Sequence, residues 1–521
     1  MPWKSLFHRK VQPPVVKRQP TIQFGIHKLP ESEATSHFLS LAATGGGKTI
    51  IQRLMMQSVL ADIGTGIDKR ALVYDAKQDA LPLLKAIVPK ADIVTLQPFD
   101  ARGASWDLQH DVQEPRIAVE LAFILIPREH ESQPFFSDAA RHLLYAVMLG
   151  FMLRGCDWTL ADVIRALSKP NRLKRFLKQH RATRDVVPRY FHDERLLSNI
   201  FSTIATKLLA MECVAASWET ADRKIALKDW VNSETILILG NSEISRAAID
   251  AINQAIFLRI VQYVLAQSES FTRRTWFFID ELSEAGKLHG LISLLKKGRS
   301  KGACVSICCQ SLAGLRDEKL YGTHLTEELL AQIGNRFYGR VECPESAETI
   351  SRVFGDQEID QYTTSQTWGK ESSTTRSQQI VVRRAVLPSE FMNVEPCTYE
   401  NGLTAYYRTR TFGCVQGYIS GAELFEGQLI PPAADVKEIM ERPPLSQLLQ
   451  PWTAQQAKRF GLEPKPRRQH DQSLQQISPV PMEQPISRES LDADVAFGET
   501  TNPKQRPNLL NLAGLDDLFH S

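Results

Sequence analysis

Lys48 and Thr49 follow three consecutive glycines, in a stretch Ala42–Thr49 that reads A-A-T-G-G-G-K-T. Glycines in such a run let successive backbone N–H groups turn inward around a phosphate, and a helix opening there adds the positive end of its dipole. Thr44, Gly45, Gly46 and Gly47 would form the cradle. Lys48 would reach the β- and γ-phosphates, and the Thr49 hydroxyl would hold Mg²⁺. The pattern G-x-x-x-x-G-K-[ST] asks for glycine where Ala42 stands, a departure that spares the cradle. A chance glycine turn is the bland alternative.

A second group of residues lies about 230 positions on. Trp276-Phe277-Phe278-Ile279-Asp280-Glu281 reads as a buried strand ending in two carboxylates. Asp280 suits the ligand of a Mg²⁺-bound water, and Glu281 the base that polarises an attacking water. The alternative is an acid pair that merely ends a strand. Gln310 closes the next apolar run, Ala303–Cys309, where it could sense a γ-phosphate or simply be a polar strand end. Between them, Lys296–Gly302 (KKGRSKG) is either a solvated turn or the source of an arginine finger at Arg299. Such a finger, supplied to a neighbouring subunit, is worth ~10³–10⁵ in rate.

These residues need elements to hold them. His37–Ala42 is of strand length and residues 48–62 have helical spacing. Ala71–Tyr74, Ala91–Leu96, Thr235–Leu239, Trp276–Ile279, Ala303–Cys309 and Arg336–Val341 are further predicted strands. Strands alternating with helices predict a parallel sheet with helical crossovers. Between about 110 and 228 the alternation gives way to helices at Phe135–Leu153, Thr159–Leu167, Arg172–His180 and Glu194–Val214. Thr159 and Asp162 have the spacing of an N-terminal capping pair. Residues 362–379, rich in Ser, Thr and Gln, are predicted to form a long mobile loop. Beyond 430 the Pro- and Gln-rich composition predicts a disordered tail, although Leu509–Phe519 (LLNLAGLDDLF) is apolar enough to fold into a partner's groove.

Taken together, the segments resemble the type IV coupling proteins of conjugation, the TraD/TraG-like branch of the FtsK/HerA phosphate-loop ATPases. The resemblance runs from about 21 to 400. It is carried by Gly25–Pro30, the glycine loop, Tyr74–Lys77, Pro98-Phe99-Asp100 with Trp106, Phe135–Arg141, Phe278–Leu282, Gly298–Gly302, Gln310-Ser311-Leu312 and Leu387–Glu390. It implies an α/β, RecA-like P-loop ATPase core with a central, mostly parallel sheet, an inserted all-α domain and a disordered C-terminal tail. The implied segments are 1–20 (basic N-terminus), 21–109 and 229–430 (the two parts of the core), 110–228 (the insertion) and 431–521 (the tail).

The resemblance also implies a homo-hexameric ring that binds ATP and Mg²⁺ and hydrolyses ATP at subunit interfaces. Such a ring pumps DNA and passes a relaxase–DNA complex to a type IV secretion channel. By position, the family's arginine finger falls on Arg299 and its γ-phosphate glutamine on Gln310. A coupling ATPase that recruits proteins rather than DNA is one alternative, and a docking platform that binds nucleotide without turnover is another. Of the pair of N-terminal membrane helices that most members carry, none is expected from the sequence as read. Cytoplasmic work, or attachment at the inner membrane through an anchor subunit, is therefore expected.

Composition fits this reading without proving it. The chain has 521 residues, of which 43% are hydrophobic and 23% charged, and these proportions exclude a wholly disordered or collagen-like protein. Its length calls for at least two packed units. With 62 Lys and Arg against 59 Asp and Glu, the net charge of +3 is too small to indicate nucleic-acid binding by itself. A local candidate is Arg165, Lys169, Arg172, Lys174, Arg175, Lys178, Arg181 and Arg184, a stretch with no intervening acid; its alternative is a solvated helical face. The eight cysteines form no C-x-x-C pair and suit a reducing compartment. No stretch of the sequence is expected to reach the length of a membrane span.

Overall fold

The computed structural model describes residues 21–127, 134–368 and 373–462. The basic N-terminal segment and the apolar motif at Leu509–Phe519 lie outside the described residues.

Nine strands form the central sheet: β1 (Phe38–Leu41), β2 (Lys69–Asp75), β3 (Ile93–Thr95), β4 (Ile236–Gly240), β5 (Arg274–Ile279), β6 (Ala303–Cys309), β7 (Asn335–Tyr338), β8 (Leu403–Thr409) and β9 (Gly413–Ile419). Their spatial order is β9-β8-β7-β1-β6-β5-β2-β4-β3. The seven strands from β7 to β3 are mutually parallel, and β8 and β9 add an antiparallel edge. Apolar residues run without interruption from Trp276 to Ile279 in β5 because both faces of a parallel sheet are covered. Trp276 and Phe278 enter the core on one side, while Phe277 and Ile279 enter the core on the other. This is the two-residue period of a strand.

The helices used below are α1 (Lys48–Leu60), α2 (Ala80–Ile87), α3 (Pro134–Arg154), α4 (Leu160–Leu167), α5 (Pro170–Leu177), α6 (Glu194–Glu219), α7 (Arg246–Ala266) and α8 (Leu291–Lys297). Helices α3 to α6 build the insertion between β3 and β4. Thr159 caps α4 in a reciprocal box with Asp162, as the spacing predicted. Helix α7 is long and apolar enough to cross a membrane by length and composition. However, 61% of its apolar window is buried inside the protein, the position of a core helix.

The insertion leaves and re-enters the core through a double neck, where Ser105–Trp106 pairs with Lys224–Ile225. Asp111 pins this neck from within. Its buried carboxylate accepts hydrogen bonds from Trp106 Nε1 at 2.5 Å and from the backbone N–H groups of Leu227 and Lys228, both at 2.8 Å. Burial pushes the Asp111 carboxyl above its ordinary range, and those donors pull it back.

Two expectations need correction. Residues 362–367 and 373–379 belong to an exposed antiparallel ribbon, Asp356–Thr367 paired with Ser373–Arg384, rather than to a loop without secondary structure. Its polar side chains hid a ladder carried by backbone bonds and by β-branched residues. Residues 431–462, assigned by composition to the tail, pack on the protein. The buried Arg442 guanidinium donates to Pro98 O at 2.9 Å, Gly103 O at 2.8 Å and Thr220 Oγ1 at 2.9 Å. Trp452 Nε1 donates to Asp162 at 2.6 Å, and Phe460 packs on Phe151. Residues 463–521 lie outside the described residues.

Candidate functional site

All seven parallel strands end at one edge of the sheet, and the chemistry-bearing residues collect there. Leu41 pairs with Cys309, Ile307 with Ile279, and Ile279 with Tyr74. That register brings the Ala42–Thr49 loop, Asp75–Lys77, Asp280–Glu281 and Gln310 side by side, at the carboxyl ends of parallel strands where open α/β sheets bind ligands.

The loop owes its shape to glycine. Gly45 and Gly47 have φ of +72° and +93°, a region that L side chains resist. Gly46 is needed for closeness instead, since a methyl group there would stand 2.7 Å from the Ala42 Cβ and 3.1 Å from the carbonyl oxygens of Ala43 and Arg340. Ala42 itself is fully buried and is not among the residues with positive φ, so alanine replaces the pattern's glycine without backbone strain. The loop is tied down by Ala43 N–H to Arg340 O at 2.7 Å and Cys397 N–H to Gly45 O at 2.8 Å. Its outer side is open: nothing lies within 4 Å of where a Gly45 Cβ would be.

The residues enclose a cleft of about 350 Å³ lined by Thr44, Gly45, Gly47, Lys48, Thr49, Lys77, Glu281 and Gln310, with Glu243, Glu284 and Cys397 at its margin. The buried Lys48 ammonium donates to Ala42 O at 2.6 Å and lies 3.9 Å from Glu281 Oε2. Burial lowers the pKa of Lys48, and the Glu281 charge opposes that shift. Burial raises Glu281, although Ser283 donates to its Oε1 at 2.8 Å and Lys48 stands beside it. A carboxyl moved toward neutrality is a better proton acceptor at working pH than an ordinary glutamate.

Asp280 is also raised by burial, with Lys77 acting against the shift. Lys77 Nζ lies 3.1 Å from Thr49 Oγ1 and 3.5 Å from Asp280 Oδ2. A cationic group thus sits between the hydroxyl and the carboxylate expected to hold Mg²⁺. These hard oxygen donors suit that ion. Among the described residues, no cluster of three or more His, Cys, Asp or Glu could hold a metal. Mg²⁺ held by one carboxylate, a hydroxyl, phosphates and water needs no such cluster.

The sequence leaves open whether Asp75 and Lys77 help the site or only end a strand; nothing in a lysine two residues past a strand decides it, and the structure brings Lys77 to Thr49 and Asp280. Asp75 serves the fold by accepting N–H bonds from Asp79 at 3.2 Å and Ala80 at 3.0 Å at the start of α2. Its burial pushes the carboxyl up to about 7. Arg246, Glu243 and Glu284 were also missed: Arg246 bonds the Glu284 carboxylate at the cleft margin and reaches Glu243 at 3.5 Å.

Arg299 does not join the site of its own chain. It is exposed just before β6, at the opposite edge of the sheet from Gln310. The intervening seven residues of extended strand measure roughly 23 Å. The basic stretch from Arg165 to Arg184 is also divided. Arg165 is buried between Glu219 and Asp162, and Arg172 stacks over Trp452 at 5.2 Å. Lys169, Arg175, Lys178, Arg181 and Arg184 remain on the surface.

Comparison with known proteins follows the same lines. Residues 21–405 match the family model of the type IV secretion-system coupling protein DNA-binding domain. The chain is 24% identical over 271 residues to the coupling protein TraD of Escherichia coli K12, covering 50% of this chain and 37% of TraD. It is 24% identical over 398 residues to the conjugal transfer protein TraG of Rhizobium radiobacter, covering 70% of this chain and 59% of TraG. In both cases it spans less than two thirds of the relative. Among solved structures, the unbound conjugative coupling protein TrwBdeltaN70 superposes with a TM-score of 0.63 at 20% identity, covering 82% of this chain and 92% of that one. TrwB in complex with ADP and Mg²⁺ gives 0.62 at 19%, covering 81% and 92%. These likenesses show the fold.

Proposed function

The chain belongs to the family of type IV secretion-system coupling proteins, and from that premise we propose that it is an ATP-hydrolysing member that moves DNA toward a secretion channel. The observation that carries the reading is the convergence of Lys48, Thr49, Glu281 and Gln310 on one cleft, with Asp280 tied to it through Lys77. The loop N–H groups and Lys48 would bind the phosphates of ATP. Thr49 and Asp280 would hold Mg²⁺, which when bound neutralises charge on the phosphates. Glu281 would take the proton of the attacking water, and Gln310 would report the γ-phosphate to the sheet edge. The neighbour's Arg299 would complete the site in a homo-hexameric ring.

The matched family model names a DNA-binding domain and the relatives are a coupling protein and a conjugal transfer protein; on that footing the proposed substrate is a relaxase–DNA complex, with secretion-channel components and a membrane-anchor subunit as proposed partners. The test is ATP hydrolysis by the purified chain with and without DNA. DNA should raise turnover, and Lys48→Ala should lower it by about 10²-fold or more. Turnover indifferent to DNA would remove the translocase from the proposal, and a Lys48→Ala variant of normal activity would remove the site.

Lys77 supplies a separate prediction. Its ammonium stands where the metal is to bind, so Mg²⁺ has a resident cation to displace. Lys77→Met should lower the Mg²⁺ concentration needed for half-maximal nucleotide binding by about two- to five-fold, the size expected of a half-exposed like charge. Titration of a fluorescent ATP analogue at varied Mg²⁺ reads it directly.

A further inference from the structure

The ribbon of Asp356–Thr367 and Ser373–Arg384 is long and has no core of its own. Strands of twelve residues extend about 40 Å, and a lone two-stranded ribbon is at best marginally stable in water. Its root is held firmly. Ala385 N–H donates to Gly355 O at 2.9 Å and Ser351 Oγ to Val386 O at 2.6 Å. The Arg384 guanidinium donates to Asp356 at 2.9 Å and to Glu348 at 3.2 Å. Arg340 and Cys397, which flank this segment along the chain, are the residues bonded to Ala43 and Gly45. The segment that carries the ribbon therefore begins and ends on the glycine loop.

The outer half has a different make-up. From Gln361 to Gln366 and from Thr374 to Gln379 the residues are Ser, Thr and Gln, apart from Tyr362 and Arg376, and Trp368 follows the first strand. Arg376 is the one charged residue among them, while Asp356, Glu358 and Asp360 keep to the root half; Lys370 and Glu371 lie outside the described residues. Trp368 is 86% exposed and Tyr362 52%. The register sets Thr364 opposite Arg376 and Gln378 opposite Tyr362, and the Arg376 guanidinium lies over the Tyr362 ring at 4.5 Å.

A stacked guanidinium, an open indole and a field of hydroxyl and amide groups without acids match phosphate oxygens and base faces. A two-stranded ribbon also has the width that a major groove admits. A protein adding a strand would use the edge backbone and would need none of these side chains. We propose that the outer half of the ribbon is an arm that grips DNA, with Arg376 on a phosphate, Tyr362 holding the guanidinium in place and Trp368 against a base. The proposal rests on the reading that this chain moves DNA, and it names the surface that does the holding. Since its segment is bonded at both ends to the glycine loop, the arm also gives DNA a route by which to alter hydrolysis.

Anisotropy of labelled single-stranded and duplex oligonucleotides of equal length, titrated with the full-length chain, an ATP analogue and Mg²⁺ across a salt series, tests the arm. Arg376→Ala combined with Trp368→Ala should raise the dissociation constant about 10-fold or more. Arg376→Ala alone should flatten the dependence of log K on log salt by about 0.7 per phosphate contact on the single strand and about 0.9 on the duplex. Arg376→Lys should keep that slope, which a merely structural arginine would not produce. The altered side chains are exposed, so thermal melting, binding of the ATP analogue and hydrolysis without DNA should match wild type, while stimulation by DNA falls. Weakened binding of both probes supports a grip on the backbone, of the single strand alone a grip on bases, and of the duplex alone a ribbon seated in the groove. The arm is overturned if the double variant binds both probes like wild type, or if Arg376→Ala leaves the salt slope unchanged; DNA-stimulated hydrolysis by the wild type would then leave the translocase reading standing. A wild type that binds neither probe overturns the arm and that reading together, and binding of the ATP analogue judges the nucleotide site separately.

Discussion

Glu281→Gln is expected to lower DNA-stimulated ATP hydrolysis by about 10²–10⁴-fold, the contribution of a positioned general base, while nucleotide affinity changes little. The amide keeps the shape of the carboxylate and an oxygen for the Ser283 hydroxyl, which lies 2.8 Å from Glu281 Oε1. It loses the capacity to take a proton. It also removes the negative charge 3.9 Å from Lys48, which leaves that ammonium freer to follow a phosphate. Single-turnover hydrolysis and equilibrium binding of an ATP analogue, measured on the same preparation, separate the two effects. A parallel loss of binding and turnover would mean that Glu281 holds the loop in place rather than activating water.

Arg299→Ala should cost ~10³–10⁵ in turnover, the range for an arginine finger, with binding to the isolated protomer unchanged. Its exposed position at the far edge of the sheet from the cleft gives the prediction its form. The residue can act only on another copy. Arg299→Ala and Lys48→Ala chains, each inactive alone, should therefore recover activity when mixed. Random assembly gives about a quarter of the interfaces an intact Lys48 on one side and an intact Arg299 on the other. A mixture as silent as its components would place Arg299 outside the reaction.

Much of this site could be read from the sequence, because its parts obey strong local rules. An apolar run such as Trp276–Ile279 that ends in two acids is what a doubly covered parallel strand looks like, and three glycines before Lys-Thr leave few conformations open. The capping pair Thr159 and Asp162 obeyed an equally local rule. Lys77 was harder, since its task arises only when three strand ends are brought side by side. The ribbon of Asp356–Thr367 and Ser373–Arg384 escaped because both its faces meet solvent, so no alternation of apolar and polar residues marks it. Residues 431–462 escaped for a different reason. They are held by a few anchors, Arg442, Trp452 and Phe460, that bond or pack at distant points and leave no periodic trace. Within the basic stretch, one member is set apart only by the fold: Arg165 lies in the run but is used up by Glu219 and Asp162 inside the helical domain.

The paired neck at Ser105–Trp106 and Lys224–Ile225 bears on how force could travel through this molecule. A lobe hung from a single strand can spin about it, whereas one suspended from two parallel strands bonded to each other is limited to tilting. With Asp111 gripping both sides of the joint and the insertion helices sharing one apolar core with a face of the sheet, a load between lobe and sheet is borne by packed side chains as well as by the two bonded strands.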